Sequence, residues 1–531
     1  MMKRHLLVLS ALIFTVSVGL YSEDVVVLDD LSTTVKKEKQ ALDKEAIPEY
    51  SEVSPSDEVR LPDIDSDLPE LSRKELTAKK TEDAKEILYF EGNVSGGYPG
   101  IFTSDFSLSR SADNNYFSFD FYHEDANGYA SNKSYDGFFN KDTGLKLDGT
   151  VMLPHQVDIE YFGTYDTFEF GLQGLSPAFY STHLQTGEFS VLGNFGVNEN
   201  FKLYTEFAGN LSSWYASYIP SATLATENST VFRYSMAPKA GFSANAGTVY
   251  DCNFYIEYDF DMARGITTFY DNRCELNYDM NLKFNPFVVS GKLAYVYAQK
   301  KSIVPFELAF SYAEEVELSV SGGLKSQKAQ LYELQKESLL YSDYTSHEQT
   351  DWFADFWIRF PISRFVENKF EIEFAQTAFE NGMLVADYSQ ASSTTGLYSA
   401  NLFSGTRLNT EYQFDLIFDT SELSIKYLAW WLDCPSSVSP HSVTVDYSFS
   451  TLESKYGFSI WVCMGFGGDR TILGDIIPDV GCSAFIRVSD VFKFSIVLED
   501  TVKLFTATGR TLYGNYLKQS GGASLLVSFY L

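Results

Sequence analysis

The sequence predicts an all-β chain, folded as one large closed antiparallel up-and-down transmembrane β-barrel of about 18–22 strands. Three observations predict it. Alternating apolar and polar residues recur from about Leu88 to the end of the chain, the chain opens with an export signal, and 16% of residues are aromatic, with 35 Tyr and 44 Phe. The clearest stretch is Glu275 to Phe284. There Leu276, Tyr278, Met280, Leu282 and Phe284 form an apolar set, and Glu275, Asn277, Asp279, Asn281 and Lys283 a polar one. Successive side chains of a strand point to opposite faces, so this ribbon has one apolar and one wet side. Its length matches the roughly 9–11 residues that a tilted strand needs to cross a bilayer.

Taken in order, the chain begins with Lys3, Arg4 and His5 ahead of an apolar run from Leu6 to Leu20, which reads as a signal peptide over residues 1–22. No Cys lies near this point, so a lipid anchor is not expected. Residues 23–87 read as a flexible acidic periplasmic tether, because a segment so rich in Lys, Glu, Asp, Pro and Ser buries too little apolar surface to fold alone. Within it, Pro55, Pro62 and Pro69 favour an extended chain from Val53 to Leu71. Leu71 to Leu88 reads as a short helix capped by Ser72, with Glu75 three residues on.

From 88 to 531 the alternation defines the barrel. Phe117, Phe119 and Phe121 oppose Ser118 and Asp120, and Val157, Ile159 and Tyr161 oppose Asp158 and Glu160. Phe201, Leu203 and Phe207 oppose Lys202, Tyr204 and Glu206; Phe254, Ile256, Tyr258 and Phe260 oppose Tyr255, Glu257 and Asp259. Later come Phe370, Ile372 and Phe374 against Glu371 and Glu373, and Tyr412, Phe414, Leu416 and Phe418 against Glu411, Gln413 and Asp415. Turns rich in Gly, Asn, Asp and Ser join these segments into a meander of hairpins. A flat sheet of so many strands would leave two exposed edges, and closure removes both. A soluble sandwich would carry many Lys and Thr on its outer face; here the polar face is mostly Glu, Asp, Asn, Ser and Tyr. The longest gaps, Asp125 to Asp142, Ser212 to Thr230, Gly322 to Thr350 and Tyr388 to Ser404, are expected outside the cell. Gln327 to Leu340, in the third, is compatible with a helix.

With the apolar sets facing lipid, the lumen receives Asp158, Glu160, Glu206, Glu257, Asp259, Glu275, Asp279, Glu371, Glu373, Glu411, Asp415 and Glu499, answered by Lys202, Lys283 and Lys493. An acid-rich lining raises the local concentration of cations. The alternative is that these carboxylates pair with bases across the barrel and fill it. The net charge of −31 argues against nucleic acid as a partner. Despite 45% hydrophobic residues the mean hydropathy is −0.14, and no second run is long enough for a membrane helix.

Export makes the five cysteines, Cys252, Cys274, Cys434, Cys463 and Cys482, potentially oxidised. A hairpin folded about Ala263 would set Cys252 opposite Cys274, which makes a disulfide available; the alternative is a pair of free thiols. No cysteine has metal-ligand spacing, and no cofactor motif is present. His123 beside Glu124 and Asp125 offers an acid/base pair, but no Ser, His and acid fall into a recognisable catalytic motif, and the chain does not read as an enzyme.

Two stretches carry a resemblance. Leu525, Val527, Phe529 and Leu531 resemble the C-terminal strand of bacterial outer-membrane barrels, which implies recognition by the barrel assembly machinery; that family's last residue is commonly aromatic, and here it is Leu. Glu23, Asp24, Val25, Val26 and Val27 resemble the TonB box of TonB-dependent transporters, which implies TonB as a partner that pairs with it as an added strand. That family has a folded plug between box and barrel, whereas here only the tether intervenes. The expectation is an outer-membrane channel or transporter for small solutes with a cation-preferring lumen. A non-conducting surface-exposed structural or adhesion barrel, binding external molecules through its long loops, is the alternative.

Overall fold

The computed structural model describes residues 87–531 apart from 113–114, 130, 220–229, 266–267, 330–334, 336–346, 378–380, 389–390, 393–395, 436–437, 452, 470–472, 475, 507–509 and 514–515. The signal peptide, Glu23 to Val27 and the rest of the tether and expected helix up to residue 86 lie outside the described residues, while Ile87 and Leu88 belong to the first strand.

Twenty-two strands form one closed antiparallel barrel. They are β1 Ile87–Tyr98, β2 Ile101–Ala112, β3 Asn115–Asn127, β4 Phe139–Leu153, β5 Val157–Gly171, β6 Phe179–Asn198, β7 Phe201–Tyr218, β8 Thr230–Ala246, β9 Tyr250–Arg264, β10 Thr268–Phe284 and β11 Phe287–Ala298. The circle continues with β12 Phe306–Ala313, β13 Glu317–Lys328, β14 Glu348–Ser363, β15 Val366–Thr377, β16 Gly405–Ile417, β17 Ser421–Trp430, β18 His441–Ser450, β19 Tyr456–Phe466, β20 Asp479–Arg487, β21 Phe492–Glu499 and β22 Gly522–Tyr530. Each pairs with its neighbour in sequence, and β1 closes the circle on β22 from Glu91 opposite Tyr530 to Tyr98 opposite Ala523. The seam extends past the last strand, where Phe90 N–H donates to the Leu531 carbonyl (3.0 Å) and Leu531 N–H to that of Phe90 (2.8 Å).

Aromatic packing on the outer face reinforces the seam. The Phe529 ring lies 5.7 Å from Phe90 and 6.1 Å from Phe106, and Phe106 lies 6.0 Å from Phe121. Phe529 occupies the space over Gly92, where a Cβ would stand 2.3 Å from the ring. The C-terminal residues that resemble an assembly signal are therefore the strand that shuts the barrel.

The two rims differ. Connections after even-numbered strands are short, such as 199–200, 285–286 and 364–365, and both ends of the barrel chain lie at that rim. Most connections after odd-numbered strands are long, among them 128–138, 219–229, 329–347 and 378–404. Outer-membrane barrels keep short turns periplasmic and long loops external, which assigns the rims. The four expected gaps all fall on the long-loop rim, although Ser212 to Tyr218 and Gly322 to Lys328 belong to β7 and β13. Connections 431–440, 467–478 and 500–521 are also long. Gln327 and Lys328 end β13; of the rest of that stretch only residues 329 and 335 are described, and Gln335 is helical.

Of the two readings of Cys252 and Cys274, a disulfide or free thiols, the second holds. The hairpin turns beyond Arg264 and not about Ala263, so Cys252 faces Met280 and Cys274 faces Tyr258. At about 3.4 Å per residue that six-residue offset separates the thiols by roughly 20 Å, far beyond disulfide reach. All five cysteines are free.

Replacing Gly92 by Ala drives a methyl group into the Phe529 ring and is expected to destabilise the seam by about 1–3 kcal/mol. Gly96→Ala, on the same strand and with nothing within 4 Å of its Cβ, serves as the control. The measurement is the temperature at which the folded, gel-shifted barrel converts to the unfolded band: lower for the first variant, unchanged for the second.

Candidate functional site

Ladder partners in an antiparallel sheet point to the same side, so register traces one face around the barrel. From Glu275 this face runs to Glu257 on β9, Lys239 on β8, Glu206 on β7, Leu192 on β6 and Glu160 on β5. On the other side Glu371 stands opposite Glu411, Glu373 opposite Asn409, and Asp415 opposite Glu367. Asp158, Asp259, Asp279, Lys283, Lys202, Lys493 and Glu499 occupy the same face. The opposite face shows Leu276, Ile256, Phe207 and Val191, all exposed.

The polar face carries more counter-charge than Lys202, Lys283 and Lys493 alone. Arg273 reaches Glu275 (2.7 Å), Glu348 (3.1 Å) and Asp259 (3.5 Å), while Lys239 bridges Glu206 (3.4 Å) and Glu257 (3.8 Å). Lys283 pairs with Asp251 (2.5 Å), Lys369 with Glu371 (3.0 Å), Lys426 with Glu411 (2.8 Å) and Arg407 with Asp351 (3.0 Å). Of these bases the sequence reading named only Lys283; Lys239 and Lys426 meet acids of neighbouring strands, which only ladder register brings to one level. Asn277 is buried here, donating to Tyr255 Oη (2.6 Å), which in turn donates to Glu275 (2.9 Å).

The second feature lies at the external rim. Strands β4 to β10 are 15, 15, 20, 18, 17, 15 and 17 residues long, well past what a bilayer needs. With the short turns as a level base, their extra length projects outward. Along the external ends of β4 to β8 on the outer face, and of β5 to β8 on the inner face, the character changes, whereas β9 and β10 keep Asp261, Asp271 and Arg273 inside and Tyr270 outside. On the outer face Leu145, Tyr165, Phe189 and Leu211 give way to Thr143 and Lys141, Thr167 and Glu169, Gln185 and His183, and Ser213. On the inner face Asp166 gives way to Phe168 and Phe170, Glu188 to Leu184, Asn210 to Trp214, and Arg233 to Val231. Polar-out and apolar-in is the pattern of a barrel standing in water around a packed core.

That core exists. Phe170, Leu172, Phe179, Leu184, Trp214 and Val231 are buried against Ala386, Tyr388, Leu397 and Tyr398 of connection 378–404 and Tyr516 of connection 500–521. β15 and β16, which bear the first of these, stand nearly opposite β5 to β8 in the circle of strands, so this connection crosses the mouth. The tyrosine rings interlock: Tyr398 lies 5.0 Å from Tyr388 and 6.1 Å from Tyr516, and Tyr516 lies 6.2 Å from Phe170. Hydrogen bonds fasten the cap to the wall. Gln173 Nε2 donates to the Leu517 carbonyl (2.6 Å), and Leu517 N–H donates back to Gln173 Oε1 (3.0 Å). Tyr129 Oη also donates to the Leu517 carbonyl (3.3 Å), and Tyr516 Oη to that of Gly396 (2.8 Å). Burial pushes the phenols of Tyr129 and Tyr516 well above the ordinary tyrosine range. Nothing in the period-two pattern announces this cap; its trace in the sequence is the loss of polar inner residues at the ends of β5 to β8.

Of the residues weighed as an acid/base pair, His123 sits within β3, its Nδ1 2.7 Å from Thr143 Oγ1 and its ring 5.9 Å from that of Phe102, while Glu124 points to the other face. A Ser, His and acid set does assemble on the outer surface above the apolar band. His183 Nε2 lies 3.1 Å from Ser181, 2.9 Å from Ser217 and 3.4 Å from Glu169, and the ring stacks on Tyr215 at 4.4 Å. All three partners meet one nitrogen, whereas a catalytic relay needs the acid on one nitrogen and the hydroxyl on the other.

No family model and no curated protein matches the sequence. Among solved structures, the fold is similar to the siderophore receptor PirA from Acinetobacter baumannii, at 9% identity over 85% of this chain and 81% of that one, with a TM-score of 0.62. The copper transporter OprC matches at 9% identity over 85% and 84%, with a TM-score of 0.63. The FrpB iron transporter from Neisseria meningitidis matches at 8% identity over 86% and 83%, with a TM-score of 0.60. At such identities the likeness establishes the barrel fold.

The cap has its own core, so Trp214→Ala is expected to cost it about 3–5 kcal/mol while the barrel ladder stays intact. External protease should then cut connections 378–404 and 500–521 faster with the barrel still gel-shifted. The phenols' contribution to closure is complete below pH about 10, the ordinary tyrosine value, and is lost as pH rises through their raised folded-state values. The same proteolysis assay should show the wild-type cap loosening only above that pH.

Proposed function

We propose that this chain is an outer-membrane transport barrel that passes small solutes between the external medium and the periplasm. The observation that carries the reading is the continuous charged inner face of a closed barrel whose fold is that of receptor and transporter structures. Carboxylates on that face outnumber the bases that answer them and bias the passage toward cations, mildly because so many are paired along the wall. Asp158 and Glu160, near the periplasmic rim, are the residues through which that bias is best read, Glu160 accepting a hydrogen bond from Asn194 (3.2 Å). Residues Glu23 to Val27 belong to this reading as the strand that TonB would pair with.

The capped mouth favours a second reading, a barrel that conducts nothing and binds external molecules through its loops. Planar-bilayer recordings separate the two. Under the first, the barrel conducts and its reversal potential in a salt gradient shows cation preference, which Asp158→Asn with Glu160→Gln lowers by roughly two-fold. Anion preference, or silence even with the cap displaced, would overturn it.

A further inference from the structure

We infer that the cap is a gate: the wall loop 172–178 holds it shut through Gln173, and the mouth opens when the hairpins carrying Gly396 and Leu517 leave that loop. The inference deepens the transport reading and rests on it for what the gate admits.

The two capping connections are built to move without disturbing the barrel. Met383–Asp387 pairs with Ser399–Phe403, and Arg510–Tyr513 with Tyr516–Lys518, so the hydrogen-bonded strands of each hairpin partner one another and not the wall. What fastens them to the wall is side-chain contact. A glutamine amide presents one donor and one acceptor side as a peptide does, and Gln173 uses both on the backbone of Leu517. When that clasp parts toward water, both ends find new partners, so its net cost is small.

The second hairpin has a fixed foot. Arg510 binds Asp500 (2.8 Å) and the carbonyls of Ile477 (2.7 Å) and Pro478 (3.3 Å), while Asp500 accepts from the N–H of Lys503 at the start of helix Thr501–Thr506. The foot is held by a charged pair, whereas the tip is held by neutral contacts alone, the bonds of Gln173 and Tyr129 to Leu517 and the packing of Tyr516 against Phe170, so the tip is the end that yields. The first hairpin reaches the same wall loop at Gly396, which adopts a positive φ of 72° and approaches Ser176 so closely that a Cβ would lie 2.8 Å from the Ser176 Cα. Tyr516 joins the two hairpins through its bond to the Gly396 carbonyl, so release of either loosens both.

Ser176 is only 3% exposed beneath the cap, which makes it a reporter. In full-length protein with the five native cysteines replaced by serine, Ser176→Cys should react slowly with a membrane-impermeant maleimide. Adding Gln173→Ala, which removes the clasp, or Gly396→Val, which wedges the tip, should each speed labelling roughly ten-fold, about the worth of two neutral hydrogen bonds. Gel-shift behaviour confirms that each variant is a folded barrel. Unchanged labelling in both variants would overturn the gate. Bilayer conductance tests the other link: it should rise in the same two variants. Faster labelling without conductance would keep the gate and overturn the transport reading.

Discussion

Everything in this chain depends on the seam between its first and last strands. In hydrocarbon no water is available to satisfy a free N–H or C=O, so a spanning sheet must close on itself. Here closure is made by β1 and β22, with the ladder running from Tyr98 opposite Ala523 to Glu91 opposite Tyr530 and two further bonds to Leu531. It also fixes which face is which. A one-residue slip at the seam would turn every polar residue of one strand toward lipid, so the parity that begins at Glu91 must return to itself after the whole circle, and it does. The charged inner face, the apolar outer face and the level periplasmic rim all follow from that one condition.

The same logic explains the cap. A strand obeys apolar-out only where its surroundings are lipid. Where β5 to β8 rise past the membrane, water is outside and the apolar residues turn inward. An apolar inner wall around a water-filled mouth would be unstable, and the hairpins of 378–404 and 500–521 supply what covers it. The cap is thus the consequence of tall strands on one side of the barrel meeting loops from the other.

The sequence made the barrel legible because period two is imposed by the backbone and survives any tertiary context. The same arithmetic placed Glu275, Glu257, Glu371 and Glu411 on one face before any register was known. Register itself was not legible: Cys252 and Cys274 were assigned to one level, and the turn beyond Arg264 offsets them by six residues. Nor were most partners of the acids, since Lys239 comes to Glu206 and Glu257, and Lys426 to Glu411, only through strand pairing. The cap was hidden for a deeper reason. Trp214, Tyr398 and Tyr516 read in the sequence as ordinary strand or loop aromatics, and only the path of a connection across the mouth brings them together.

The direction of the ion pairs bears on what the barrel is for. Carboxylates that pair across the lumen would fill it, whereas these pair along the wall. Lys369 serves Glu371 on its own strand, Lys239 serves Glu206 and Glu257 on the two adjacent strands, and Lys426 serves Glu411 on the next. The longer reaches, Arg273 to Glu348 and Lys328 to Asp261, occur where β11 and β12 stop short of their neighbours and leave a notch to bridge. Pairing of this kind holds side chains against the wall and stiffens the ladder. Among the described residues these pairs draw the side chains toward the wall, which supports the proposed transport reading over a filled scaffold.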